Sequence, residues 1–197
     1  MEGDKERFLQ EILAREWDMF QKVKSAVPAS CQTSPDTFRK IRGSIFQLWP
    51  TELMAAYVVE LCKAQWEGRN LLTEKYARMD NLIPPLNDNP MIDRIVAIEE
   101  EWQQEIQQNY PGLYARSCRS TDPTGDGRNF SIYLRCELET YGDLALAIYY
   151  DWVYTAQQAD LNYSLTMLKE LILSSGFKSL DEAEAFWSKE LGVSVEA

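Results

Sequence analysis

The chain has 197 residues, 45% of them hydrophobic, with 31 acidic against 20 basic side chains and a net charge of −11. That length suffices for one domain burying about 70% of its unfolded surface, and the charge opposes nucleic acid and anionic membrane surfaces, both of which reward clustered Lys and Arg. Histidine is absent, which removes Ser-His-Asp and Cys-His nucleophile activation, the common zinc sites and the Glu-x-x-His pair of di-iron bundles, and leaves carboxylates, Lys, Tyr and Cys for any acid–base role.

Phe8, Leu9, Ile12, Leu13, Met19, Phe20 and Val23 place one apolar face on a helix from about Asp4 to Lys24, with Glu16 in the middle of that face. A loop from Ala26 to Ser34 carries the triplet Ser30-Cys31-Gln32. Ser34 followed by Pro35 is a helix start, a side-chain cap and a proline in the first turn. The second helix reaches about Trp49, with Phe38, Ile41, Ile45 and Phe46 inward and Arg42 on the same face. Pro50 stops it and opens the longest predicted helix, Thr51 to Met79, striped by Met54, Tyr57, Val58, Leu61, Leu72, Tyr76 and Met79. Gly68 falls on that stripe. A mid-helix glycine costs about 1 kcal/mol against alanine, so it implies close packing or a ligand, with Arg69 beside it.

The breaker cluster Ile83 to Pro90 precedes a fourth helix, about Met91 to Gln108, whose stripe of Ile92, Ile95, Val96, Trp102 and Ile106 contains Glu99. Residues 109–129 are predicted as the longest irregular stretch, locally basic through Arg116, Arg119 and Arg128. Asp122 to Gly127 resembles a calcium loop, but its twelfth position is Tyr133, where a bidentate Glu is needed. Asn129 caps an aromatic helix that carries Glu137 inward between Tyr133, Leu134 and Tyr141, with a bend or split at Gly142 and Asp151 also facing inward. A run from about Asp160 to Leu173 ends at Gly176, and Ser179 with Glu182 forms a capping box for a last helix, Leu180 to Leu191. Residues 192–197 read as a frayed tail. No strand pattern of useful length occurs. The fold class is all-α, a single-domain helical bundle of about six to eight helices with two long antiparallel helices at its centre.

The cysteines, Cys31, Cys62, Cys118 and Cys136, form no C-x-x-C pair and read as free thiols in a reducing compartment. The segment Met1 to Arg7 is charged, unlike a signal peptide, and no run approaches the roughly 20 apolar residues of a membrane helix. The expected location is cytoplasmic.

Glu16, Arg42, Glu99, Glu137 and Asp151 thus lie on apolar faces of different helices, with Arg69 flanking another. Desolvating an unpaired charge costs several kcal/mol, so these groups should meet one another or a ligand. Three arrangements satisfy that: a buried Arg–carboxylate network, an interhelical pocket for a small cationic or polar ligand, or a carboxylate-held Mg or Mn site for phosphate-ester hydrolysis. Arginines competing for the same oxygens weigh against the third.

Arg15-Glu16-Trp17, Met19-Phe20, Ser30-Cys31-Gln32, Arg42, Trp49, the run Gly68 to Met79, Glu99, Trp102, Tyr133-Leu134-Arg135, Glu137 and Thr140-Tyr141 together resemble the family called domain of unknown function 4125, over nearly the whole chain. Gly68 to Met79 is the most specific part. The loop before Ser30 is shorter than the family's pattern. The resemblance implies a bacterial cytosolic protein with no assigned activity. Members occurring near nucleotidyltransferase-like proteins suggest a helical partner module. Partners of that kind that act as ribonucleases typically use a histidine, which this chain lacks. The candidate ligand-binding residues are Glu16, Cys31, Gln32, Arg42, Gly68, Arg69, Glu74, Glu99 and Glu137. Cys31 would serve as a nucleophile only with an Arg or a helix N-terminus lowering its pKa. No metal ligand or cofactor is assigned. The expected function is a ligand-binding or protein-interaction module, with a protein partner or a homodimer through the aromatic helix. A metal-dependent hydrolase is the alternative.

Overall fold

The computed structural model describes residues 2–23, 32, 34–122 and 129–193. Among these the fold is all-helical with no strand: α1 (Glu2–Gln21), α2 (Pro35–Phe46), α3 (Thr51–Trp66), α4 (Leu71–Met79), α5 (Met91–Asn109), α6 (Pro111–Ser117), α7 (Phe130–Leu138), α8 (Asp143–Gln158), α9 (Tyr163–Ser174) and α10 (Leu180–Leu191). These ten exceed the expected six to eight for three local reasons. The long third helix is two helices, a helical turn sits within 109–129, and the aromatic helix splits at Gly142, which caps α8.

The first break is the most informative. Gly68 has φ +71°, its N–H donates to the Gln65 carbonyl at 3.2 Å, and the Arg69 N–H donates to Ala64 at 2.8 Å. This is the two-bond left-handed cap that ends helices at glycine. Gly68 is therefore not a mid-helix residue, and a Cβ there would meet nothing within 4 Å, so no close approach requires it. Asn70 restarts the helix by accepting from the Thr73 N–H at 2.9 Å, while its Nδ2 donates to the Met19 carbonyl on α1 at 2.8 Å. Ser34, Asn129 and Ser179 cap α2, α7 and α10 as expected. Glu182 closes its box on the N–H of Lys178, one residue earlier than the usual partner.

Two hydrophobic clusters organise the helices. The larger joins α1, α2, α3, α4, α5, α7 and α8 around Ile12, Phe46, Trp49, Leu53, Leu61 and Leu146. The smaller joins the end of α5 to α6, α9 and α10 through Ile106, Leu113, Leu168, Ile172 and Ala183. Helix α5 carries residues of both. At the smaller cluster α6 lies almost against α10: a Cβ on Gly112 would sit 2.6 Å from the Ser188 nitrogen, and the Gly112 and Leu113 N–H groups donate to buried Glu184 at 2.9 and 2.8 Å. No helix among the described residues is long and apolar enough to cross a membrane.

Candidate functional site

Five helices each send one polar group to the middle of the larger cluster. Helix α1 brings Glu16, fully buried at 0% exposure, and α2 brings Arg42. Arg42 forks onto Glu16 through Nε and Nη2 at 2.7 and 2.6 Å, and the same Nη2 reaches Glu137 Oε1 on α7 at 2.7 Å. Helix α4 brings Lys75, 2% exposed, whose Nζ donates to Glu137 Oε2. Tyr57 on α3 donates to Glu16 at 2.8 Å, and Tyr141 donates to Glu137 at 3.1 Å. Two cations face two carboxylates, so the cluster is neutral. The Lys75 ammonium also lies 3.5 Å from the Tyr133 ring centre, and the Arg42 guanidinium 4.6 Å from that of Phe46.

This arrangement fixes the charges. Burial alone would raise the Glu137 pKa, but Arg42 and Lys75 outweigh it and hold the carboxyl well below the usual carboxylate range. Burial opposes the charge of Lys75 and Arg42, and the neighbouring carboxylates overcome it, so both pKa values rise. Burial, reinforced by the carboxylates, pushes up the phenols of Tyr57 and Tyr141. None of these groups is poised to exchange a proton near neutrality. Two of the thiols are no readier: burial raises Cys136, and pushes Cys118 up to about 11. Beside the network a cavity of about 70 Å³ opens between Phe20, Phe38, Leu72, Lys75 and Tyr133.

Glu99 stands apart from this network. It meets no cation among the described residues, and accepts instead from the Tyr149 hydroxyl at 2.6 Å. Burial raises its pKa, the Tyr149 hydrogen bond lowers it, and repulsion from Glu137 raises it further, leaving it at about 7. Glu99 lines an aromatic slot of about 40 Å³ with Trp49, Trp102, Tyr149, Trp152 and Tyr163. Trp152 and Tyr163 stack at 4.5 Å, Trp102 meets Tyr163 edge-on at 5.8 Å, and Tyr149 meets Trp49 edge-on at 5.5 Å. Trp49 is buried, and its Nε1 has no hydrogen-bond partner among the described residues. Such a donor calls for a water or another acceptor atom.

The structure thus brings together Glu16, Arg42 and Glu137, and separates the other candidates. Arg69 is an exposed partner of Glu74 and Glu67, close to Gly68 and away from the network. Gln32 ties the end of α1 by donating to the Phe20 and Val23 carbonyls at 3.1 and 2.9 Å. Asp151, expected inward, is exposed. Cys31 and the calcium-like run 123–127 lie outside the described residues, as does Arg128. Three buried groups escaped the sequence reading: Lys75, Glu139, which pairs with Arg78 at 2.6 Å, and Glu184. Among the described residues no three His, Cys, Asp or Glu side chains cluster as a metal site would require.

A family model described as "Protein of unknown function (DUF4125)" matches residues 6–185, and the chain belongs to that family. No curated protein and no solved structure matches the chain.

Proposed function

We propose that this protein is a helical ligand-binding module whose site is the slot at Glu99, and that it takes the cationic end of a small organic amine. The observation supporting this reading is that Glu99, an inward carboxylate, meets no cation among the described residues and lies in a slot lined by aromatic side chains. Aromatic faces attract cations through their quadrupole, and a desolvated carboxylate with no counter-ion gains most when one arrives. The Arg42 network has its charges satisfied internally and acts as the scaffold that sets how α1, α2, α4 and α7 meet. The Mg or Mn reading asked for carboxylates converging without an arginine between them. Glu16 and Glu137 instead converge on Arg42.

The test is calorimetric titration with n-butylamine and with tetramethylammonium, on the wild type and on Glu99→Gln. Binding by the wild type and loss in the variant support the reading. A saturating amine at 100 times its dissociation constant should add about 2.7 kcal/mol to stability. Absence of binding by either probe at millimolar concentration refutes it.

A second reading, docking on a protein partner or a second copy, rests on a different observation. Val59 and Trp66 lie two helical turns apart on α3 and are 63% and 87% exposed. Light scattering after size exclusion should then show a complex that Trp66→Ser disrupts. Equal monomer masses for both proteins at high concentration remove the second-copy form of this reading.

A further inference from the structure

The slot has a neighbour across its aromatic wall. Trp152 and Tyr163, the stacked pair, also line a wider open groove of about 600 Å³ between the start of α3 and the outer face of α8. Glu52 and Asp151, both exposed, stand at that groove, with Ile148 and Ala147 as its apolar wall. Among the described residues no lysine or arginine lines either the slot or the groove. Three carboxylates therefore face two adjoining hollows that share one aromatic partition.

The sizes differ in a useful way. A cavity needs about 10–15 Å³ to admit a water, so a slot of about 40 Å³ holds an ammonium group and one or two waters, and not a whole ligand. The rest of the ligand must lie in the groove, over apolar and acidic surface.

We infer that slot and groove form one composite site for a linear aliphatic diamine or polyamine, with one ammonium at Glu99 and the next at Glu52 and Asp151. This deepens the amine-binding reading and rests on it. The methylene chain covers Trp152, Tyr163 and Ile148, and the second charge is held by exposed carboxylates. Exposed ion pairs contribute modestly and are screened by salt, so the second charge should tighten binding about fivefold at low ionic strength and less at 0.5 M salt.

The experiment compares n-butylamine with α,ω-diamines of three to six carbons and with spermidine, by calorimetry, on the wild type, on the double variant Glu52→Gln/Asp151→Asn, and on Glu99→Gln. A symmetric diamine gains twofold statistically because either end can enter the slot. The expected result is a diamine preference over n-butylamine of about tenfold in total, collapsing to twofold in the double variant, with the preference taken as a ratio within each protein. Both exchanged residues are exposed, so the variant should fold, and circular dichroism checks that it does. If n-butylamine binds and no diamine exceeds twofold, the composite site is wrong and the amine slot stands. If the preference survives the double variant, the second charge is held elsewhere and the assignment is wrong. If n-butylamine fails to bind as well, the slot reading falls and takes this inference with it.

Discussion

Glu99→Gln should make the ligand-free protein clearly more stable at pH 8 and much less so at pH 5. Folding carries Glu99 from an ordinary carboxyl near 4.5 to about 7. The folded state therefore favours the protonated form. That contribution is fully present below about pH 4.5 and is lost as pH rises towards 7, above which the ionised carboxylate is carried at a constant cost. A shift of this size corresponds to about 3 kcal/mol at 1.36 kcal/mol per unit, and the partial solvent contact of Glu99 reduces the figure to about 2 kcal/mol. Glutamine mimics the protonated acid at every pH and still accepts the Tyr149 hydroxyl. The assay is urea denaturation followed by tryptophan fluorescence at pH 5, 6, 7 and 8. With a slope of about 2 kcal/mol per molar, the variant's midpoint should exceed wild type by about 1 M at pH 8 and by only about 0.4 M at pH 5, where an ordinary carboxyl is already largely ionised. The comparison at each pH cancels other titrations, including that of Glu137, whose stabilising contribution runs the other way and fades only in strong acid. Midpoint differences equal at pH 5 and pH 8, or a variant weaker at pH 8, would refute the claim that Glu99 is a carboxylate kept short of a cation.

Amine binding should release protons near neutrality, because an ammonium lowers the pKa of Glu99, which otherwise faces only Tyr149 at hydrogen-bond distance and Glu137 from further off. Titrations in buffers of different ionisation enthalpy measure that release, and a buffer-independent heat contradicts it. Glu137→Gln and Lys75→Met should each cost about 3–5 kcal/mol, the first by leaving one buried cation in excess and the second one buried carboxylate, and the double variant should cost less than their sum because its charges balance again. Additive losses in urea melts would show that Lys75 and Glu137 do not neutralise one another as described. Gly112→Ala should cost about 1–3 kcal/mol, since its Cβ would press on the Ser188 backbone, whereas Gly68→Ala should cost about 1 kcal/mol from conformation alone. A Gly68 variant as damaging as Gly112→Ala would mean that hidden contacts surround Gly68. Asn70→Ala removes the cap of α4 and the bond to Met19, and should cost about 1–2 kcal/mol.

Much of the fold is legible in sequence because helix ends here are written in local chemistry. Pro35, Pro50, Pro90, Ser34, Asn129 and Ser179 all act where their side chains or rings require. The break at Gly68 was misread because the apolar stripe continues across it, from Leu61 to Leu72, so periodicity alone joins the two helices. Helix α6 escaped because seven residues are too few to show a period. Within the network, Glu16, Arg42 and Glu137 could be found because a charge inside an apolar stripe has to be neutralised. Lys75 carried the same signal, sitting between Leu72 and Tyr76, but a lysine's long stem is easily taken to lead its charge outward. The isolation of Glu99 was not legible. Its partner is a tyrosine hydroxyl, and no pattern of charges in a sequence announces that. Nor does the sequence reveal that Asp151 turns to the outer face of α8, where it borders the groove.

The cap at Gly68 also decides which residues can be neighbours. Tyr57 and Lys75 are 18 residues apart, and in one unbroken helix they would point the same way yet stand about 27 Å apart along the axis. In the structure both belong to one cluster, Tyr57 through Glu16 and Lys75 through Glu137. The four residues from Glu67 to Asn70 fold that span back on itself. Their number is therefore as constrained as their chemistry. Deleting one residue after the cap would rotate α4 by about 100° and carry the lysine out of line with its carboxylate. The turn works as a phase setting for the second helix, and a length change there should damage the protein more than any single side-chain exchange within it.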